Sequence, residues 1–372
     1  MLHYPGVPAV QAQPAQPVAV EPAESEPAAL PAPTEPLELV FVGDVMFGRW
    51  REAGMAAIDY QGFDVFGPMH DLLAADITLA NLETPIVRDV PALPPYGTRL
   101  RFAAPPSVID VLRRAGITTV TLANNHSFDM KFTGLRETPE VLAEHGMGFI
   151  GACRSEAPLF RAETFTSVGW KIAFIAATNE RNGPQRKNAP ELPYVHVNEL
   201  AKMLAPVVSE ARPHHDLVIV VLHWGVEYQQ KPGTRQIRAA RALIDAGADA
   251  VIGHHPHVLQ AIERYKNGLI AYSLGNFLFD NTSKSQQLTG ALRLRYQPAG
   301  RCLERAVMHP AYVKRAPTYH PHPADQSMRQ QVGQRIITLS KEKPFTTAWQ
   351  LEGRDLVLAS PPCPPTDEPV TN

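Results

Sequence analysis

The sequence predicts an α/β fold built on a largely parallel sheet. Two patterns predict it. Apolar segments of four to eight residues run without polar alternation, as strands buried on both faces do. Helical stretches ended by a glycine are followed at once by another apolar segment, and this succession repeats along the chain.

The elements read as follows. Residues 37–42 form a strand. Residues 66–74 have helical spacing, and 77–80 are a strand. A helix over 107–115 starts at Ser107, a good N-cap residue, and stops at Gly116. The β-branched segment 117–122 is a strand. A helical stretch over 133–145 ends at Gly146, with Pro139 marking a kink or the true first turn. Residues 165–168 and 171–177 form a hairpin about Gly169. A helix over 198–211 precedes the wholly apolar strand 217–222. A helix over 234–246 stops at Gly247 and leads into strand 250–252. Strands at 269–273, 288–296 and 306–314 and a helix from 326 to 339 complete the pattern.

The 372 residues carry 44% apolar side chains, enough for a large core, and 35 basic against 37 acidic residues. That balance gives no electrostatic footprint for a nucleic-acid partner. Residues 1–36, rich in Pro, Ala, Glu and Gln, cannot bury enough apolar surface to offset ordering and are expected to be disordered; residues 361–372 read the same way. The three cysteines, Cys153, Cys302 and Cys363, show no metal-binding or disulfide spacing and read as incidental thiols. No apolar run of about 18 residues and no signal-like start are present, so the default expectation is a cytoplasmic protein.

Function is written at the strand ends. Five apolar segments each run directly into metal-capable side chains: Gly43-Asp44, Asn81-Leu82-Glu83, Asn124-Asn125-His126, His223-Trp224-Gly225, and Gly253-His254-His255-Pro256-His257. The carboxyl ends of parallel strands share one edge of a sheet, so these residues converge. Oxygen and nitrogen donors without thiolate suit manganese, iron or zinc. The candidate ligands are Asp44, Glu83, Asn125, His223, His255 and His257, more than one open catalytic ion needs and a match for two divalent ions. In His255-Pro256-His257, an extended backbone puts both imidazoles on one side. Arg49 is a candidate clamp for a substrate phosphate or carboxylate. His254 lies beside the ligand pair as a supporting residue, and Glu227 is placed to orient His223. His214, His215, His309, His320 and His322 read as ordinary histidines.

The segments Gly43-Asp44-Val45-Met46-Phe47-Gly48-Arg49, Ala80-Asn81-Leu82-Glu83, Leu122 through Asp129, Leu222 through Tyr228, Gly253 through Gln260 and Tyr272 through Phe277 together resemble the poly-γ-glutamate capsule-synthesis (CapA-type) family, a branch of the calcineurin-like metallophosphoesterase superfamily. The resemblance spans about residues 38–315. It implies a four-layer α/β/β/α sandwich, with one domain over 37–345. It also implies that Asp44, Glu83 and His257 hold one ion, that Asn125, His223 and His255 are further ligands, and that His126 contacts substrate and protonates the leaving group. Two positions depart from the pattern: Met46 stands where the superfamily usually has a ligand histidine, and Lys131 where the family commonly has glycine. Three functions stay open. The first is a metal-dependent hydrolase of poly-γ-glutamate capsule or cell-envelope polymer synthesis, working with capsule machinery at the envelope. The second is a non-catalytic accessory protein that binds metal and polyglutamate. The third is a general metallophosphoesterase acting on phosphorylated small molecules.

Overall fold

The computed structural model describes residues 33–48, 64–91, 101–152, 159–182, 192–280, 283–314 and 319–358. The expectations for residues 1–32, Arg49, Cys153 and 359–372 lie outside these segments.

Two sheets pack face to face. The first, of ten strands, runs β15(Trp349–Glu352), β16(Asp355–Leu358), β13(Cys302–Val313), β12(Leu288–Gln297), β1(Leu37–Val45), β2(Ile77–Leu82), β3(Thr119–Thr121), β4(Gly148–Ile150). In addition, β11(Asn276–Leu278) pairs with β1, and β14(Pro321–Pro323) with β13. The second sheet, of six strands, runs β5(Glu163–Ser167), β6(Trp170–Thr178), β7(Leu217–His223), β8(Ala250–His254), β10(Gly268–Ala271), β9(Ile262–Tyr265). Strands β11, β1, β2, β3 and β4 are mutually parallel, as are β6, β7, β8 and β10.

Three apolar clusters define the layers. Between the sheets lie Leu39, Phe41, Leu79, Ile172, Phe174, Ile219, Val221, Ile252, Leu292 and Leu294. Behind the first sheet, Val40, Val42, Ala80 and Val120 pack on α1(His70–Leu73), α2(Val108–Arg114) and α3(Lys131–Glu144). Behind the second, Val218, Val220 and Val251 pack on α4(Leu200–Ala211) and α5(Thr234–Asp245). Adjacent strand residues thus point into opposite layers, which is why these segments show no polar alternation. Each fully buried aliphatic side chain contributes about 1.5–3 kcal/mol. This is the α/β/β/α sandwich.

Helix α5 shows the local logic. It buries Ile237, Ala240, Leu243 and Ile244 at helical spacing. The Gln236 side chain reaches back to accept the Gly233 N–H at 2.9 Å.

Several local expectations differ. Ser107 makes no side-chain cap; the Pro105 and Pro106 carbonyls accept the Val108 and Ile109 N–H groups instead. Pro139 lies well inside α3, which starts at Lys131. Strands β4, β9, β11, β14, β15 and β16 were not expected, and the last two carry the sheet to Leu358. Cys302 is disulfide-bonded, correcting its reading as an incidental thiol; its partner lies outside the described residues. Three widely spaced cysteines carry no motif from which that pairing could be read.

Candidate metal centre

Register delivers the site. Asp44 on β1 stands beside Asn81 on β2 and Asn276 on β11. In the other sheet, His223 on β7 stands beside His254 on β8. A bulge between Phe41 and Asp44 re-aims the end of β1. Gly43 permits it: a Cβ there would sit 2.0 Å from the Gly275 carbonyl oxygen. The sheets meet at the site, where the His255 N–H approaches Asp44 Oδ2 at 3.4 Å.

Asp44, Glu83, His223, His255 and His257 are all buried. The Asn81 amide is their hub. Its Nδ2 donates to Asp44 Oδ1 at 2.8 Å and Glu83 Oε1 at 3.2 Å, and lies 3.1 Å from His223 Nδ1. Asn124 Nδ2, donating to Asn81 Oδ1 at 3.2 Å, fixes that orientation. His223 Nε2 lies 2.9 Å from Asn125 Oδ1 and 3.0 Å from His255 Nδ1. His257 Nδ1 lies 3.1 Å from Asp44 Oδ2 and 2.8 Å from Asn276 Oδ1. His254 Nδ1 lies 3.4 Å from Asp44 Oδ1, behind the carboxylate.

The ionisation pattern follows. Burial opposes ionisation of Asp44, yet hydrogen bonds with His254 and His257 hold its carboxyl well below the usual range. Burial and the neighbouring Asp44 charge push Glu83 well above it. Burial and the adjacent His255 push His223 down, and burial with the nearby His257 pushes His255 down to about 3. Burial opposes protonation of His257, but Glu83 and Asp44 raise it to about 9. Glu83 Oε2 has no hydrogen-bond partner among the described residues although fully buried. A buried carboxylate oxygen without a donor costs several kcal/mol unless a cation faces it. Hard oxygen and imidazole donors around that oxygen fit divalent ions.

Two groups that could hold a metal ion emerge, each with donor atoms within 4.8 Å of one another: Asp44, Glu83 and His223, and Glu227, His255 and His257. Glu227, expected behind His223, lies with the other histidines. Nor is the His-Pro-His turn extended: His255 and His257 have φ of 97° and 56°, and their rings converge to 5.9 Å. Met46 is buried in an apolar cluster with Phe102 and Phe279. Those rings back the site's imidazoles, Phe102 stacking 3.9 Å from His126 and Phe279 4.6 Å from His257.

His126 Nδ1 lies 2.8 Å from Asp129 Oδ2 and 3.1 Å from Asn182 Nδ2. Asn182 also accepts from Asn125 Nδ2 at 3.0 Å, tying His126 to Asn125. Glu180, two residues before, is half-buried, and burial with the nearby Glu227 charge raises it to about 7. Lys131 adopts φ 53°, the left-handed region that favours glycine, at a cost of roughly 1–2 kcal/mol. The sequence reading gave no role to Asn81, Asn182, Glu180 or Asn276. For Asn81 a signal existed: it lies two residues before Glu83 at a strand end, hence on the same face.

Residues 38–281 match the model of the family described as "Bacterial capsule synthesis protein PGA_cap". The chain is 34% identical over 259 residues to a capsule biosynthesis protein CapA of Bacillus anthracis, covering 66% of this chain and 60% of that protein. It is 33% identical over 249 residues to a PGA biosynthesis protein CapA of Bacillus subtilis, covering 66% and 63%. It is 28% identical over 261 residues to a Mycobacterium tuberculosis protein described as "Probable polyglutamine synthesis accessory protein", covering 65% and 67%. The chain thus spans somewhat over half the length of the two CapA relatives.

Proposed function

The chain belongs to the bacterial capsule synthesis PGA_cap family, and we propose that it is a metal-dependent hydrolase-type protein of poly-γ-glutamate or related cell-envelope polymer synthesis. One observation carries the reading: a buried carboxylate with an unpartnered oxygen, Glu83, sits among Asp44 and His223 with a histidine–aspartate pair beside it. In this reading Asp44, Glu83, Asn125, His223, His255 and His257 hold two divalent ions. Bound there, the ions would supply a nucleophile at neutral pH and polarise a phosphoryl or carbonyl oxygen.

The chain's own residues supply the rest. Protonated His126 gives its Nδ1–H to Asp129 and carries the transferable proton on Nε2, facing a leaving group. Phe102, stacked on the imidazole, fixes the ring's plane. The substrate is an anionic polymer or a phosphorylated small molecule, with Arg49 as its clamp and capsule-synthesis machinery as partner.

No helix among the described residues is long and apolar enough to cross a membrane. The Cys302 disulfide supports an oxidising, envelope setting over the cytoplasmic default.

A second reading, a non-catalytic accessory protein that binds metal and polyglutamate, is favoured by one observation: Met46, a thioether that suits a hard divalent ion poorly, is buried in an apolar cluster with Phe102 and Phe279. Turnover separates the two. The chelator-treated full chain is reconstituted with Mn2+ or Zn2+ and given a nitrophenyl phosphodiester, an alkyl ester and a γ-glutamyl amide. Metal-dependent hydrolysis supports the enzyme. His126→Ala should then retain metal yet lose about 10²–10⁴-fold in rate, least for the nitrophenyl leaving group. No turnover of any substrate with either metal makes the accessory reading the better one.

A further inference from the structure

Resting on the metal-centre reading, we infer that Glu227 is itself a metal ligand, completing with His255 and His257 an outer ion site beside the buried set of Asp44, Glu83 and His223.

Geometry sets the two groups apart. Each offers three donor atoms within 4.8 Å of one another. The inner set is wholly buried, whereas Glu227 is exposed and its two histidines are buried. An exposed carboxylate opposite two buried imidazoles builds a site with one open side, the form an exchangeable, substrate-facing ion requires.

The backbone is arranged to bring these three together. Glu227 lies between Gly225, at φ 102°, and Tyr228, at φ 64°. The Tyr228 N–H donates to the carbonyl of Pro256, the residue between the two histidines, at 2.8 Å. Gln260 Nε2 donates to the Gln229 carbonyl at 2.8 Å. With the Trp224 N–H donating to the His254 carbonyl at 3.0 Å, the loop after β7 is held to the 254–260 segment on both sides of Glu227. Tyr228, His255 and His257 are all non-glycine residues in left-handed conformations. Each costs roughly 1–2 kcal/mol, and such strain persists where surrounding structure imposes it, commonly at functional sites.

The charge of Glu227 also matters. Three carboxylates against two divalent cations leave the centre with one excess positive charge when all three are ionised, which favours an anionic substrate.

The test is a calorimetric titration of the chelator-treated full chain with Mn2+ alone, checked by elemental analysis after dialysis. Wild type should bind two ions. Glu227→Gln, isosteric and exposed, should fold normally, keep the inner ion and bind the second at least about 10-fold more weakly, since even a residue that only orients a ligand costs 10–100-fold. Glu227→Asp should recover part of that affinity. Two ions bound with wild-type affinity by Glu227→Gln, or fewer than two bound by wild type, would overturn the inference. Turnover is a separate readout: two-ion binding by wild type without hydrolysis sinks the hydrolase reading and leaves Glu227 standing.

Discussion

Replacing Glu83 with glutamine should make the metal-stripped protein more stable and the metal-loaded protein less responsive. The Asn81 amide nitrogen lies 2.8 Å from Asp44 Oδ1 and 3.2 Å from Glu83 Oε1. The two carboxylate oxygens are therefore no more than about 6 Å apart, where like charges repel by about 3 kcal/mol at an effective dielectric of about 20. Glutamine keeps an oxygen for the Asn81 donor and removes the charge. The sign depends on pH. Glu83 is raised in the folded state, so its contribution is present below its ordinary value of 4.5 and is lost as pH rises through the raised value. The benefit of Glu83→Gln should accordingly be small in acid and approach about 3 kcal/mol in alkali. Urea unfolding in chelator would show it as a midpoint shift on the order of 1 M. With Mn2+ at about 100 times Kd, wild type should gain about 2.7 kcal/mol and the variant markedly less. A variant that is less stable in chelator across the whole pH range, with an undiminished Mn2+ response, would refute the reasoning.

Other perturbations follow from the same geometry. Glu180 is raised to about 7, so its contribution is present below 4.5 and lost as pH rises through about 7; Glu180→Gln should flatten that part of the stability–pH profile, read by urea midpoints between pH 4 and 8. An unchanged profile would count against it. Gly43→Ala places a Cβ 2.0 Å from the Gly275 oxygen, so it should cost about 1–3 kcal/mol or more and weaken metal binding through Asp44, the next residue. Wild-type stability and metal affinity together would contradict that close approach.

Much of this was legible in the sequence, for a definite reason. Strands buried on both faces are apolar throughout, so a charged or imidazole residue at their ends stands out; Asp44, Glu83, His223 and His255 were singled out that way. The backbone path of the His-Pro-His turn was not legible, because proline's stiffness suggests extension while the histidines beside it take positive φ. Glu227 carried no distinguishing spacing. It reaches the site through a loop clamped by backbone hydrogen bonds at Pro256, which side-chain patterns do not record. Asn182 bridges His126 and Asn125 from the loop after β6, a long-range contact without a local motif. Strands β15 and β16 are short, and β15 exposes three of its four residues, so no apolar run announces them.

The most direct measurement is elemental analysis of the full chain after dialysis from Mn2+ and Zn2+, wild type beside His223→Ala. His223 is buried and touches Asn81, Asn125 and His255 at once. A metal centre at these strand ends predicts stoichiometric divalent metal in wild type and its loss in a variant that still folds. Wild type without metal, or His223→Ala with undiminished metal, would contradict it.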